Sequence, residues 1–271
     1  MRNFLIIPIL FIFLSSCSNS ENFDIPSISK LEKLEEHSNQ FIKGIYSYDN
    51  GIHVAIGFGI ANSIMVVGEG GNIIIDTTDD VSQAKEVLSE FQKINQNPIK
   101  AIIYTHNHGD HVFGASEFYN AQEEKPLVIA HSTTAEKVEK ILGIINPIIT
   151  IRSGKMFGTN LDEGELINVG LGPYLSAGRS SPGYIAPTMT FEKELKLEIA
   201  GHKVELYHAP GETDDQIFVW FPELSALIPG DNFYTTFPNL YTIRGTSHRD
   251  VIGWVNSIDK MRSLDPQYLF P

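Results

Sequence analysis

The chain has 271 residues, 42% of them hydrophobic and 20% charged, a balance that excludes a disordered chain and allows one large domain or two small ones. Its net charge of −13 argues against a nucleic-acid partner, because phosphate binding needs a basic face. An anionic substrate meets a repulsive overall field and can bind only where a metal or an arginine locally reverses it.

The first residues set the expected compartment. Met1, Arg2 and Asn3 form a short basic start, and residues 4–14 are an apolar run of signal-peptide length, too short for a membrane span. Ser15 and Ser16 then precede Cys17, the only cysteine of the chain. The arrangement resembles a bacterial lipobox, which implies cleavage before Cys17 and lipidation there. The plainer alternative is an ordinary signal peptide with an incidental cysteine. The expectation is an exported protein: signal peptide 1–16, polar tether 17–40 with one short helix at most, and a lipid anchor to the cell envelope, at the periplasm or cell surface. A single cysteine leaves none for an intrachain disulfide, a metal ligand or a nucleophile.

The folded part is expected from Phe41. Residues 44–48 and 51–55 read as strands around Asp49, Asn50 and Gly51, a hairpin signal. Residues 62–67 and 72–76 form a second hairpin across a glycine-rich turn. Val81, Ala84, Val87, Leu88 and Phe91 fall on one helical face, with Asp80 to Gln83 as a capping box. A buried strand at 100–104 leads into the run HNHGDH at 106–111. Another strand at 127–130 precedes a helix through Ala135, Val138, Ile141 and Leu142. Between Arg152 and Pro187 the period is lost and glycines recur, which marks a long functional or disordered loop. Strands resume at 196–199, 203–207, 217–221 and 226–228. Val251, Ile252, Trp254, Val255, Ile258 and Met261 then outline an amphipathic helix capped from Ser247 to Asp250, and one further strand begins near Leu269. Hairpins followed by alternating strands and helices are compatible with sheets covered by helices.

His106, His108, Asp110 and His111 carry the chemistry. Three of the nine histidines fall within six positions, so a chance grouping explains them poorly. Four ligands on one short loop cannot all reach one metal, and the alternation separates His106 with His108 from Asp110 with His111. Imidazole and carboxylate together suit Zn²⁺ or a neighbouring transition metal. His37, His53, His131, His202 and His208 have no ligand-like spacing.

The HxHxDH pattern resembles the signature of the metallo-β-lactamase superfamily, and the hairpin ending in Asp76 resembles its first motif. The run HAPGETDDQ from His208, with Glu212 where most of the superfamily has histidine, resembles the linear alkyl-sulfatase family. So do PGDNFYTTFPNLYTIRGTSHRD from Pro229 and AIGFGIANS from Ala55. The resemblance implies an α/β fold, the αββα sandwich, over 41–271, with two zinc ions. His106, His108 and Glu212 would hold one, Asp110 and His111 the other, and Asp231 would bridge them. Asp76 would brace the metal loop by hydrogen bonds. Arg244 would take the sulfate of an alkyl sulfate ester, since a guanidinium fork matches a tetrahedral oxyanion. Catalytic roles fall to Arg244 and Asp110, and substrate contacts to Arg244, Tyr241 and Asn239. His248 shares that segment, and Arg179 and Tyr184 are candidates for an alkyl channel.

The family's second metal takes a further histidine from beyond the strand at which this chain stops. The expected fold is therefore incomplete at the C-terminus: a truncated product with a weakened second zinc site, reduced or absent activity, and no oligomer, since the family's C-terminal dimerisation region is missing. Three functions stand: zinc-dependent hydrolysis of alkyl sulfate esters to alcohol and sulfate; another hydrolase of this fold, of β-lactamase or thioesterase type; and a non-catalytic, lipid-anchored metal-binding remnant.

Overall fold

A computed structural model describes residues 28–162, 165–173 and 182–271. The expected signal peptide (1–16), Cys17 and Arg179 lie outside these residues. The segment expected as a tether carries a helix, α1 (Ile28–His37), and a 3-10 turn (Ser38–Phe41). Asn168 Nδ2 donates to Leu34 O at 3.0 Å and Ser38 Oγ at 2.9 Å, so this segment is docked on the domain. Among the described residues, ordered structure is therefore already present ahead of the expected start at Phe41.

Seven strands form the first sheet in chain order: β1 (Gly44–Ser47), β2 (Ile52–Ile56), β3 (Ser63–Gly68), β4 (Gly71–Ile75), β5 (Ile99–Ile103), β6 (Leu127–His131) and β7 (Met189–Phe191). The first four are antiparallel hairpin neighbours, and β4 through β7 run parallel. Parallel neighbours need crossovers, which here are helical. They are α2 (Val81–Ile94) after β4, α3 (Gly109–Val112) and α4 (Ala115–Asn120) after β5, and α5 (Thr134–Leu142) and α6 (Asn146–Met156) after β6. The second sheet holds β8 (Glu194–Ile199), β9 (His202–His208), β10 (Ile217–Phe221), β11 (Ala226–Ile228) and the edge strand β12 (Tyr268–Leu269); α7 (Val251–Arg262) precedes β12.

Alternation along the strands builds three apolar layers. Ile73, Ile75, Ala101 and Ile103 face Val204, Leu206, Ile217 and Val219 between the sheets. Their neighbours Ile74 and Ile102 point the other way, onto Val87 and Phe91 of α2, Phe118 of α4 and Val138 of α5. Phe218, Trp220 and Leu227 meet Met261 of α7 on the outer face of the second sheet. The order is helix, sheet, sheet, helix. β4 is buried at every position because it is covered on both faces, and β8 alternates exposed and half-buried residues before ending on the buried Ile199. Asp80 caps α2, accepting from Gln83 N at 2.8 Å. Asp250 alone caps α7, accepting from Ile252 N at 3.1 Å.

Two elements depart from the sequence expectation. α6 occupies 146–156, part of which reads as patternless, and β7 pairs Met189, Thr190 and Phe191 with β6. No helix among the described residues is long and apolar enough to cross a membrane. The loops after β4, β5, β9 and β11 carry the chemistry-bearing residues. Those after β4 and β5 leave the carboxyl ends of parallel strands, where open α/β sheets place their ligands.

Candidate metal centre

The site is built outward from Asp76 at the end of β4. Asp76 and Thr78 adopt φ of 57° and 70°, an uncommon conformation for non-glycine residues and a strained one for a β-branched threonine. Thr77 N and Oγ1 both donate to His111 O, at 2.8 and 3.0 Å, and Gly114 N donates to Thr78 O at 3.2 Å. These bonds hold the strained loop against the metal loop. Gly114 is required there, since a Cβ would lie 1.9 Å from Thr77 O.

Asp76 then sets two imidazoles. Its Oδ1 accepts from Thr105 N at 2.8 Å, and its Oδ2 accepts from Thr105 Oγ1 and His111 Nδ1, each at 2.7 Å. The Thr105 hydroxyl hydrogen is committed to Asp76, so its oxygen accepts from His106 Nδ1, 3.0 Å away. Both rings therefore turn Nε2 inward. His106 Nε2 is buried with no hydrogen-bond partner among the described residues and lies 3.8 Å from Asp231 Oδ2. His111 Nε2 lies 3.3 Å from Asp231 Oδ1 and 3.5 Å from Asp110 Oδ2.

Two groups of potential ligands result: His106, His108 and Asp231, and Asp110, His111 and Asp231. Within each, the ligand atoms lie within 4.8 Å of one another. Asp231 belongs to both. Glu212 approaches the first group, with Oε1 3.5 Å from His108 Nδ1. That oxygen also accepts from Arg249 Nη2 in an ion pair whose side chains are only 6% and 5% exposed. Glu212 Oε2 is buried and has no partner among the described residues. A donor set of imidazoles and carboxylates with such partnerless buried atoms fits Zn²⁺ or a similar transition metal.

The ionisation pattern follows from burial and charge. Burial, and then the neighbouring imidazoles and arginines, hold His106 well below the usual imidazole range; for His108, burial and then Arg244 do the same. Burial opposes charge on His111 too, but Asp231, Asp76 and Asp110 together outweigh it and raise the ring well above its ordinary value. Burial raises Asp110, and burial with Asp231 pushes Glu212 up to about 8 despite Arg249. The carboxylates are crowded in a way that a cation would relieve.

A cavity of about 650 Å³ opens onto this cluster. Asp110, Glu212, Asp231, Asn239, Arg244 and Arg249 line its polar end, and Phe41, Ile60, Ile149, Met156, Phe157 and Leu171 part of its apolar wall. Arg244 Nη2 lies 3.4 Å from His108 Nε2, and Nη1 lies 3.8 Å from Met156 Sδ. Its Cζ sits 5.8 Å from the Phe157 ring centroid. Among the described residues, Arg244 has no carboxylate within salt-bridge distance.

The expected substrate contact Tyr241 and two open candidates, His248 and Tyr184, lie off the cavity lining. Tyr241 is 72% exposed and does not line the cavity. His248 is also exposed. Tyr184 packs beside Tyr104 at 6.0 Å in the helix-side layer. Arg249, Thr105 and Asn232 carry roles that the sequence reading did not assign. Asn232 Oδ1 accepts from Glu212 N at 3.1 Å, and its Nδ2 donates to Ala209 O at 2.7 Å, fixing the Glu212 loop from β11. The run SHRD from Ser247 held the signal for Arg249, but its pairing with Glu212 spans 37 residues.

This sandwich, with its histidine–carboxylate cluster at the strand ends, defines the class: the chain belongs to the Metallo-beta-lactamase superfamily, whose family model matches residues 56–271. Within that class it is 39% identical over 213 residues to the linear primary-alkylsulfatase of Pseudomonas sp. (strain ATCC 19151), covering 76% of this chain and 40% of that one. It is 26% identical over 232 residues to the alkyl/aryl-sulfatase BDS1 of Saccharomyces cerevisiae (strain ATCC 204508 / S288c), covering 82% of this chain and 35% of that one. The solved stereoselective inverting sec-alkylsulfatase Pisa1 from Pseudomonas sp. has the same fold, with a TM-score of 0.78 at 23% identity over 85% of this chain and 38% of that one. The chain spans 35–40% of the length of the two curated relatives.

Proposed function

We propose that this chain is a zinc-dependent hydrolase of alkyl sulfate esters, releasing an alcohol and sulfate. One observation carries the reading: a part-buried Arg244, with no carboxylate within salt-bridge distance among the described residues, stands between the metal-type cluster and an apolar cavity wall. An amphiphile with an anionic head and an alkyl tail matches that arrangement, and the curated relatives are named as alkylsulfatases. His106, His108 and Glu212 would hold one zinc, Asp110 and His111 the other, with Asp231 shared. Bound there, zinc supplies Lewis acidity and lowers the pKa of water.

The chain's own residues do the rest. Arg244 and Asn239 bind and orient the sulfate head, and the Arg244 charge offsets the acidic surroundings that would repel it. Met156, Phe157, Ile149 and Leu171 take the alkyl chain out of water. Each buried methylene contributes about 0.8 kcal/mol, so the tail supplies much of the affinity. Asp110 faces the head group and orients the attacking water.

The test is sulfate release from dodecyl sulfate by the purified chain, with and without added zinc, beside a β-lactam control. Zinc-dependent release without β-lactam turnover is expected. Turnover of the β-lactam favours the other hydrolase reading. No turnover of either compound despite bound zinc favours the metal-binding remnant.

For localisation we propose export and lipid anchoring at Cys17, motivated by the basic start, the apolar run and the small residues before that cysteine. Radiolabelled palmitate fed to an expressing bacterium should label the wild-type chain and not Cys17→Ala. Equal labelling of both removes the anchor.

A further inference from the structure

We infer that Asp215 is the positioning residue that locks the two ligand-bearing loops of the first metal group to each other; this rests on the metal reading above. Asp215 is fully buried, and among the described residues no cation pairs with it. Three side chains satisfy it instead. Oδ1 accepts from Asn107 Nδ2 and, at 2.7 Å, from Thr213 Oγ1; Oδ2 accepts from Thr134 Oγ1 at 2.7 Å.

The identity of those donors gives the carboxylate its role. Asn107 is buried between His106 and His108, and Thr213 directly follows Glu212. Thr134 begins α5 on the adjoining wall. One carboxylate therefore ties the loop after β5 to the loop after β9, and both to a helix. Ile217 N donating to Thr105 O at 2.8 Å closes the same seam through the backbone. A buried carboxylate is costly unless hydrogen-bonded, so its three bonds are retained together.

Labour is divided with Asp76. Asp76 holds His111 directly and His106 through Thr105. That network meets His108 only through its backbone, where His111 N donates to His108 O at 3.1 Å, and among the described residues its side-chain bonds do not extend to the His108 ring or Glu212. Asp215 reaches both by way of their sequence neighbours. Its loss should loosen the metal held by His106, His108 and Glu212 and spare the one held by Asp110 and His111.

The experiment is competitive zinc titration of the full chain against a chromophoric chelator, with cobalt(II) absorption as a second readout. Asp215→Ala should weaken one bound zinc by ~10–100-fold, the range seen when a ligand's outer partner is lost. The other zinc should be unchanged. Asp215→Asn should recover most of the affinity, because its amide oxygen can serve Asn107 and Thr213 while its NH₂ donates to Thr134 Oγ1. Asn107→Ala removes one bond only and decides the matter if Asp215→Ala does not fold. Unchanged affinity in a folded Asp215→Ala or Asn107→Ala protein overturns the inference, as does equal weakening of both zincs. A wild-type chain that binds no zinc overturns the metal reading itself, and this inference with it.

Discussion

Asp231→Ala should strip both metals from the chain and reduce kcat/KM for an alkyl sulfate by on the order of 10²–10³, several kcal/mol of lost charge stabilisation. The reason is topological. Asp231 is the residue common to both ligand groups, with one oxygen toward His111 and the other toward His106. It stands on a 3-10 turn (Gly230–Asn232) pressed against the metal loop. Gly230 has φ of 54°, and a Cβ there would lie 2.4 Å from Gln216 Nε2 and 2.7 Å from Thr105 Cβ, so the turn has little freedom to offer a substitute. Asp231→Asn keeps the shape and loses the charge, and should fall between the two. A second measurement separates loss of metal from loss of fold. Asp231 raises the pKa of Glu212 and Asp110, which marks repulsion within the cluster. Asp231 also favours the charged His111 ring, so the two effects oppose each other, and in chelator the Asp231→Ala protein should keep a cooperative melt near the wild-type midpoint. Full zinc content in this variant would remove Asp231 from both sites.

Strands and the metal loop were legible because their signals are local. Isoleucine-rich runs such as 73–75 and 101–103 can only be buried strands, and HNHGDH concentrates donors that have no structural use on a loop. Asp76 was legible through the resemblance of its hairpin to the superfamily's first motif. α6 was not. Its exposed residues include Ile148 and Ile151, while Ser153 and Gly154 are buried, which inverts the usual apolar-in pattern. Part of its apolar surface serves the cavity, through Ile149 and Met156, and periodicity does not distinguish a ligand-facing wall from a core. Three-residue β7 gives too short a window for alternation. Arg249, Asn232 and Asp215 owe their roles to partners 37, 20 and 108 residues away, and spacing along the chain carries no trace of such pairs. Tyr241 shows the converse: it shares the motif-bearing segment with Arg244, yet it stands at the surface, outside the cavity lining.

Arg244→Ala should lower kcat/KM for alkyl sulfates by about 10²–10³, the cost of removing one preorganised donor to a charged group, and leave the zinc content intact. Apart from one contact with His108, the guanidinium is placed by residues outside the ligand set. The Phe157 ring and Met156 Sδ flank it, and Nη2 lies 3.4 Å from His108 Nε2. Burial lowers its pKa, and Asp110 and Glu212 resist that change. The group starts far above neutrality, so it stays charged at any working pH. A surface salt bridge, the bland role for an arginine, is contradicted by its burial and by the absence of a carboxylate within salt-bridge distance among the described residues. Arg244→Lys keeps the charge without the planar fork and should recover only part of the activity, with the deficit mainly in KM if two parallel hydrogen bonds to the head group are lost. Inhibition by free sulfate should weaken in parallel with KM, because product and substrate share the head-group contact. If Arg244→Ala instead releases zinc while sulfate inhibition persists, the guanidinium is part of the metal scaffold and the anion must be held elsewhere, with Arg249 the next cation on the cavity wall.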